Sequence, residues 1–253
     1  MNKKNYFIIV GAQRSGTTYI YNILDEHPQI CMARPVFPEP KYFINKSIKE
    51  INLTKYHTNF YSHYVSDNHV LGEKSTSYYE KEESAQLIST LIPDCKIIFV
   101  LRNPIDRAIS NYYFSVKNGL EIRSLEEVFI NNIPPPKINN CISVNPFDYL
   151  VRGEYVRHIE TYLKYFSKEQ LKILVFENFI GNINKIQNLY KFLSVDSNFY
   201  NSKTKLLIRP PQTRNNMPSN VINHLVGYYR ETILSLEKLV DNNDIDVLKQ
   251  YFD

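Results

Sequence analysis

The sequence has little from which a covalent or metal framework can be built. Its cysteines are only Cys31, Cys95 and Cys141, odd in number and far apart. No CxxC pair or Cys/His cluster occurs, which argues against a disulfide framework and a zinc site, so no metal ligands are expected. Cys95 precedes an apolar stretch and reads as a small core residue. No apolar run approaches the roughly 20 residues of a membrane-spanning helix. The first ten residues carry two lysines and the short apolar run Tyr6–Val10. They lack the length and cleavage region of a secretory signal, so a cytoplasmic location is expected. Internal repeats are absent. The formal charge is only +4, too small an excess to point to nucleic acid, but it suits an anionic ligand if the positive charge is local.

What is present is an ordinary globular composition: 253 residues, 43% hydrophobic and 22% charged. That length fits one domain spanning 1–253, with a core large enough to bury most of its apolar surface. Short, continuous apolar runs at Phe7–Val10, Val70–Leu71, Ile97–Leu101 and Ile173–Phe176 read as strands buried on both faces. Helical patterns lie between them, at Thr17–Glu26, Glu82–Leu91, Asp106–Lys117, Asp148–Phe166 and Ile183–Leu193. A final helix at about Ser219–Leu239 directs Val221, Leu225, Tyr228 and Tyr229 inward. Strands alternating with helices predict an α/β domain, a central parallel sheet flanked by helices. Cys31–Lys46 and Asn131–Pro146 read as irregular loops.

Phe7–Thr18 reads FIIVGAQRSGTT: a strand, a loop with two glycines, and a helix start. A helix N-terminus wrapped by such a loop presents free N–H groups and the positive dipole end to phosphate or sulfate. Gly16 lets the backbone approach the anion, Ser15, Thr17 and Thr18 add hydroxyl donors, and Arg14 adds a cation. The spacing is that of a nucleotide-triphosphate loop except at one position. Thr17 stands where G-x-x-x-x-G-K-[ST] places lysine, and the cation sits inside the loop instead. A ligand with a 5′-phosphate and a transferable sulfuryl group does not need the missing lysine.

Lys96–Phe114 reads KIIFVLRNPIDRAISNYYF. Arg102 falls at the C-terminal tip of a strand, the edge where open α/β sheets bind ligands. Pro104 fits the first turn of the next helix, and Ser110 follows two turns later. A guanidinium fork and a hydroxyl there converge on one phosphate. Arg107 reads instead as a helix-surface or buried ion-pair arginine.

These two elements, G-x-[QRK]-x-[SC]-G-T-T and R-N-P-x-x-R-A-x-S, resemble the signatures of the sulfotransferases that use 3′-phosphoadenosine 5′-phosphosulfate (PAPS). The likeness is nearest to the carbohydrate, heparan-sulfate-type branch and its bacterial relatives. It implies a P-loop-like sulfotransferase fold, with the first element on the 5′-phosphosulfate and the second on the 3′-phosphate. Arg14 stands where that family usually has lysine. Glu39-Pro40-Lys41-Tyr42-Phe43 is similar to the segment carrying the family's glutamate base, and Gly72-Glu73-Lys74-Ser75 to the strand end whose lysine lies near the acceptor. Arg152-Gly153-Glu154-Tyr155 resembles the segment beside the nucleotide, and Met217–Leu239 the terminal helix. The chain departs from the heparan-type pattern in having Lys41 where histidine often stands. It also lacks that branch's disulfide and the basic loop before the terminal helix, where Lys205–Met217 offers Arg209 and Arg214.

The resemblance implies a metal-independent transfer of sulfate from PAPS to a hydroxyl or amine of a carbohydrate, glycolipid or small molecule, releasing adenosine 3′,5′-bisphosphate. Glu39, Arg14 and Lys74 are the implied catalytic residues. Arg14, Ser15, Gly16, Thr17, Thr18, Arg102, Ser110, Tyr155 and Arg214 are the implied nucleotide contacts. Should Glu39 not be the base, Lys74 with an ordered water, or the nearby His69, is the next candidate. Two other readings are a P-loop kinase or NTPase, opposed by the displaced lysine and the absence of a clear Mg²⁺-holding aspartate at a strand tip, and a nucleotide-binding module without catalysis.

Overall fold

A computed structural model describes residues 4–64, 69–137, 145–199 and 217–252. Five strands form one sheet: β1 Tyr6–Gly11, β2 Ile30–Met32, β3 Val70–Lys74, β4 Lys96–Leu101 and β5 Leu171–Val175. Their order is β2-β3-β1-β4-β5 and every pairing is parallel. All five C-terminal ends therefore open on one edge. The chain moves outward from β1 to β2, returns through β3 and crosses over β1 to β4, so the strand order reverses beside β1. Ligands of open α/β sheets bind in the crevice at such a reversal.

Alternate residues of the central strands face opposite layers. Ile8, Val10, Leu71, Ile97 and Phe99 pack on one side, with Ile88 of α3 (Glu82–Leu91) and Ile159 and Tyr162 of α6 (Tyr155–Leu163). Phe7, Ile9, Ile98 and Val100 pack on the other, with Ile20, Ile23 and Leu24 of α1 (Thr17–Asp25) and Leu189 and Leu193 of α8 (Ile183–Leu193). Covering both faces is why these strands read as unbroken apolar runs rather than alternating ones. A further cluster joins Ile105, Ala108 and Ile109 of α4 (Pro104–Lys117) to Val221, Leu225 and Tyr229 of α9 (Ser219–Leu236). Together these layers make one domain around one sheet. Among the described residues no helix is long and apolar enough to cross a membrane.

Several sequence expectations need correction. The stretch read as wholly irregular after Cys31 contains the end of β2, a three-residue edge strand too short to show a pattern. The expected helix Asp148–Phe166 is shorter: Val151–Gly153 is a 3-10 turn and α6 begins only at Tyr155. Arg152 is fully buried on Glu80, and a side chain at Gly153 would meet the Tyr229 ring at 2.5 Å. The chain must turn there to seat both. Phe176 leaves the fifth strand and opens the short helix α7 (Phe176–Phe179). Tyr228 does not point inward; it is 39% exposed and its hydroxyl donates to Glu154. The patterns also missed α2 (Leu53–Phe60), α5 (Leu125–Phe129) and α10 (Asn242–Leu248). A local signal did exist for α5, the capping box of Ser124 with Glu127.

Candidate active site

The first loop is tied down at both ends. The Ala12 N–H donates to the Val100 carbonyl of β4 at 2.9 Å, and the Ser15 N–H donates back to the Ala12 carbonyl at 3.3 Å. Arg14 and Gly16 are left-handed, with φ of 67° and 82°. At Gly16 a side chain is impossible as well as strained, because a Cβ would lie 2.2 Å from the Phe176 ring. No side chain caps α1 and no acidic residue lies in its first turn, so its N-terminal dipole faces the loop uncompensated. The Ser15 hydroxyl is buried without a protein partner among the described residues. A buried hydroxyl normally has a partner. This donor, the left-handed loop and the uncapped helix fit a bound phosphate or sulfate. Thr17 is buried beside it, while Thr18 and Arg14 are exposed.

The second loop meets the first. Arg14 donates from Nε to the Ser110 hydroxyl at 3.2 Å and lies over the Phe114 ring at 4.9 Å. Arg102 Nη1 donates to the Arg14 carbonyl at 3.4 Å. Arg14, Arg102 and Ser110, assigned from separate motifs, therefore form one cationic cluster between the tips of β1 and β4. Glu177, which the sequence reading missed, holds this cluster from the short helix α7 that follows β5. Its Oε1 accepts from the Asn103 N–H at 3.0 Å and lies 3.9 Å from Arg102 Nε. Burial raises its carboxyl above the usual range, and the Asn103 N–H only partly offsets that. Tyr155 reaches the cluster through the backbone: it is fully buried and donates to the Arg102 carbonyl at 2.7 Å. Arg107 is fully buried rather than on the helix surface, but among the described residues its partners are neutral and not a carboxylate: it donates to Asn111 and the Tyr149 carbonyl. Arg209 and Arg214 lie outside the described residues.

At the tip of β3, Glu39 and Lys74 meet. Lys74 Nζ donates to Glu39 Oε1 at 2.7 Å. The Thr76 N–H donates to Oε2 at 2.9 Å, and the Thr76 hydroxyl lies about equally near both oxygens, at 3.1 and 3.0 Å. The pair is nearly enclosed, with 3% of the Lys74 side chain and 12% of the Glu39 side chain exposed. An ionised carboxylate offers about four acceptor sites. Three donors occupy Glu39, which leaves one site. His69 is not near: it precedes the N-terminal end of β3 and bonds the Pro28 carbonyl at 2.8 Å. That position removes it as an alternative base.

Beneath this pair lies Glu73, which the sequence reading passed over. It is fully buried and accepts from the Tyr56 hydroxyl. The hydroxyls of Ser75 and Tyr78 also face it. They in turn accept from the backbone N–H groups of Lys41, at 2.9 Å, and Phe43, at 3.2 Å. The segment carrying Glu39 is thus fastened to the sheet through a buried carboxyl. Burial raises the Glu73 carboxyl above its ordinary 4.5, and the three hydroxyls only partly oppose the shift. The native chain then holds a proton that the unfolded chain releases, so this group's contribution to stability falls as pH rises from about 4 through the raised native value. Wild type should lose urea resistance relative to Glu73→Gln over that range. A pH-independent difference between the two midpoints would show that Glu73 titrates normally.

A family model, the sulfotransferase domain, matches residues 4–224. Among curated proteins, the chain is 33% identical over 181 residues to the mouse bifunctional heparan sulfate N-deacetylase/N-sulfotransferase 4, covering 66% of this chain and 20% of that protein. It is 28% identical over 204 residues to the human heparan sulfate glucosamine 3-O-sulfotransferase 3B1, covering 78% and 49% respectively. The chain thus spans between a fifth and a half of the length of these relatives. A crystal structure of a sulfotransferase from Alicyclobacillus acidocaldarius superposes with a TM-score of 0.71 at 25% identity, covering 97% of this chain and all of that one. The sulfotransferase domain of the Synechococcus PCC 7002 olefin synthase shares the fold at a TM-score of 0.51 and 13% identity.

Proposed function

The chain belongs to the sulfotransferase domain family of transferase enzymes, and from that premise we propose that it moves the sulfuryl group of PAPS to a carbohydrate hydroxyl or amine, with Glu39 as the base. The observation that carries this reading is the convergence at one sheet edge of an anion loop with an orphaned buried hydroxyl, Ser15, and an enclosed carboxylate–lysine pair at the adjoining strand tip. The carbohydrate acceptor is supported by the relatives named for heparan sulfate.

PAPS, when bound, supplies the sulfuryl group and a phosphate leaving group. The uncapped N-terminus of α1 and the hydroxyls of Ser15, Thr17 and Thr18 hold the 5′ side, while Arg102 and Ser110 hold the 3′-phosphate. Arg14 brings positive charge to the leaving oxygen, a role in which fixed donors in a water-poor site contribute strongly. Glu39 takes the acceptor proton on its one open acceptor site. Lys74 holds the carboxylate in place, and Thr76 fixes its rotamer through two donors. Tyr155 positions Arg102 from behind.

The 3′-phosphate assignment is testable by calorimetry. Arg102→Ala and Ser110→Ala should each weaken adenosine 3′,5′-bisphosphate by about 1.5–3 kcal/mol, the worth of a charge-assisted hydrogen bond. Adenosine 5′-phosphate should be affected far less, because it lacks the group they hold. Equal weakening of both ligands would overturn the assignment.

A further inference from the structure

Among the described residues, the side-chain contacts of Arg102 hold it only loosely. Nη1 donates to the Arg14 carbonyl at 3.4 Å, and Nε lies 3.9 Å from Glu177 Oε1. The second separation is too long for a hydrogen bond. The other oxygen of Glu177 is buried without a partner among the described residues. A guanidinium with such weak ties takes its place from its backbone and from the residues beside it, and those residues are gripped by α10. Asn103, directly after Arg102, is fully buried and donates from Nδ2 to the Leu248 carbonyl at 3.0 Å. Asn178, directly after Glu177, donates from Nδ2 to the Asn243 carbonyl at 2.7 Å and to Asp244 Oδ1 at 2.9 Å. Just past the helix, the Tyr251 hydroxyl donates to Asp106, in the first turn of α4, at 2.9 Å. The helix is itself anchored. Ile245 and Leu248 are buried, and Lys185 of α8 pairs with Asp241 and Asp244 at 3.1 and 3.0 Å. One helix thus ties the segment after β4 to the segment after β5, on either side of the Arg102–Glu177 contact.

Resting on the nucleotide reading above, we propose that α10 is a clamp that positions Arg102 for the 3′-phosphate, with Asp244 as a positioning residue. Asp244 lies outside the proposed nucleotide contacts and works through Asn178 and Glu177. Asn103 forms the second arm. Its Oδ1 accepts from the Ile105 and Asp106 N–H groups at 3.1 and 3.3 Å, and its own N–H donates to Glu177. With its oxygen on α4 and its amide nitrogen on α10, Asn103 moves only by breaking a buried hydrogen bond. Fixing Arg102 in advance lowers the ordering cost that phosphate binding would otherwise carry. Affinity for the 3′-phosphate therefore depends on a helix remote in sequence from both anion loops.

Calorimetry on the full chain with adenosine 3′,5′-bisphosphate and with adenosine 5′-phosphate tests the clamp. Asp244→Ala should weaken the bisphosphate about fivefold, the scale of one lost hydrogen bond, and the 5′-phosphate less than about twofold. Asn178→Ala removes the same bond from a half-buried position and should repeat the selective loss, which keeps the test open if Asp244→Ala does not fold. Asp244→Asn retains an oxygen for Asn178 but gives up the charge opposite Lys185. It should recover most of the affinity while its thermal midpoint falls. In an Arg102→Ala background, Asp244→Ala should weaken the bisphosphate no further, because the clamp acts through the guanidinium. The clamp is overturned if these variants weaken both ligands alike, weaken neither, or keep their full effect in the Arg102→Ala background. A helix with only a structural role gives one of those results together with a lower thermal midpoint. Arg102→Ala alone tests the underlying reading. If that variant shows no selective loss of the bisphosphate, the nucleotide reading fails and the clamp with it. Selective loss in Arg102→Ala but not in Asp244→Ala or Asn178→Ala sinks the clamp alone.

Discussion

Replacing Glu39 by glutamine is expected to slow sulfuryl transfer by about 10²–10⁴-fold, the usual scale of a lost general base. Affinity for adenosine 3′,5′-bisphosphate should stay within a few fold of wild type. The separation follows from position: Glu39 meets Lys74 and Thr76 at the tip of β3, whereas the cluster of Arg14, Arg102 and Ser110 lies between β1 and β4. Glutamine keeps the side-chain length and one oxygen for the Thr76 N–H. It removes the charge opposite Lys74, which is almost fully buried. Breaking a buried pair by removing one partner costs up to about 3–5 kcal/mol of stability, so the thermal midpoint should fall as well. The nucleotide isotherm guards against misreading that loss: a variant that binds normally is folded at the nucleotide site, and a slow single turnover then reports the missing base. A wild-type transfer rate in Glu39→Gln would leave the carboxylate only a structural part in holding Lys74.

How much of this site is legible in the sequence depends on what kind of contact builds each part. Phe7–Thr18 and Lys96–Phe114 are local devices in which strand, loop and helix start are contiguous, so the residues proposed to hold the nucleotide sit within one readable segment. The same holds for β1 and β4, whose unbroken apolar runs follow from burial on both faces. The three-residue β2 has no such signature. Its place beside β3 comes from pairing of Ile30 with Val70 and Met32 with Gly72, contacts forty residues apart. Glu177 and Glu73 were missed for a related reason. Each is a carboxylate whose partners, Asn103 and Arg102 for one and Tyr56 and Tyr78 for the other, come from different elements. Nothing in the local pattern separates them from solvated acids. Glu39 and Lys74 were each readable by likeness to a family segment, but their bond, with Thr76 as the third member, exists only once β3 lies beside the Pro-rich loop. His69 erred the other way. Nearness to Lys74 along the chain suggested a shared site, yet five residues of extended strand set them at opposite edges of the sheet.

Arg14→Ala is expected to impair both binding and chemistry, unlike Glu39→Gln. Arg14 occupies a left-handed backbone position, and alanine carries the same steric penalty there, so the substitution tests the side chain rather than the loop. The guanidinium lies on the Phe114 ring and on the Ser110 hydroxyl. It therefore stands where the two anion elements touch, and no lysine follows Gly16 to take over its charge. Loss of a charge-assisted contact should weaken PAPS by about tenfold or more. Loss of a fixed positive group at the leaving oxygen should lower the single-turnover rate by about 10²–10³-fold. Arg14→Lys restores the charge without the planar fork, so most of the rate should return while the bond to Ser110 is lost. The contact also predicts non-additivity: in a cycle with Ser110→Ala, the double variant should bind nucleotide better than the sum of the single losses implies, because the two groups share one network. Measured side by side, an isotherm and a single-turnover rate decide the role. Normal values of both in Arg14→Ala would move the charge-neutralising function to Arg102, the neighbouring cation that donates to the Arg14 carbonyl.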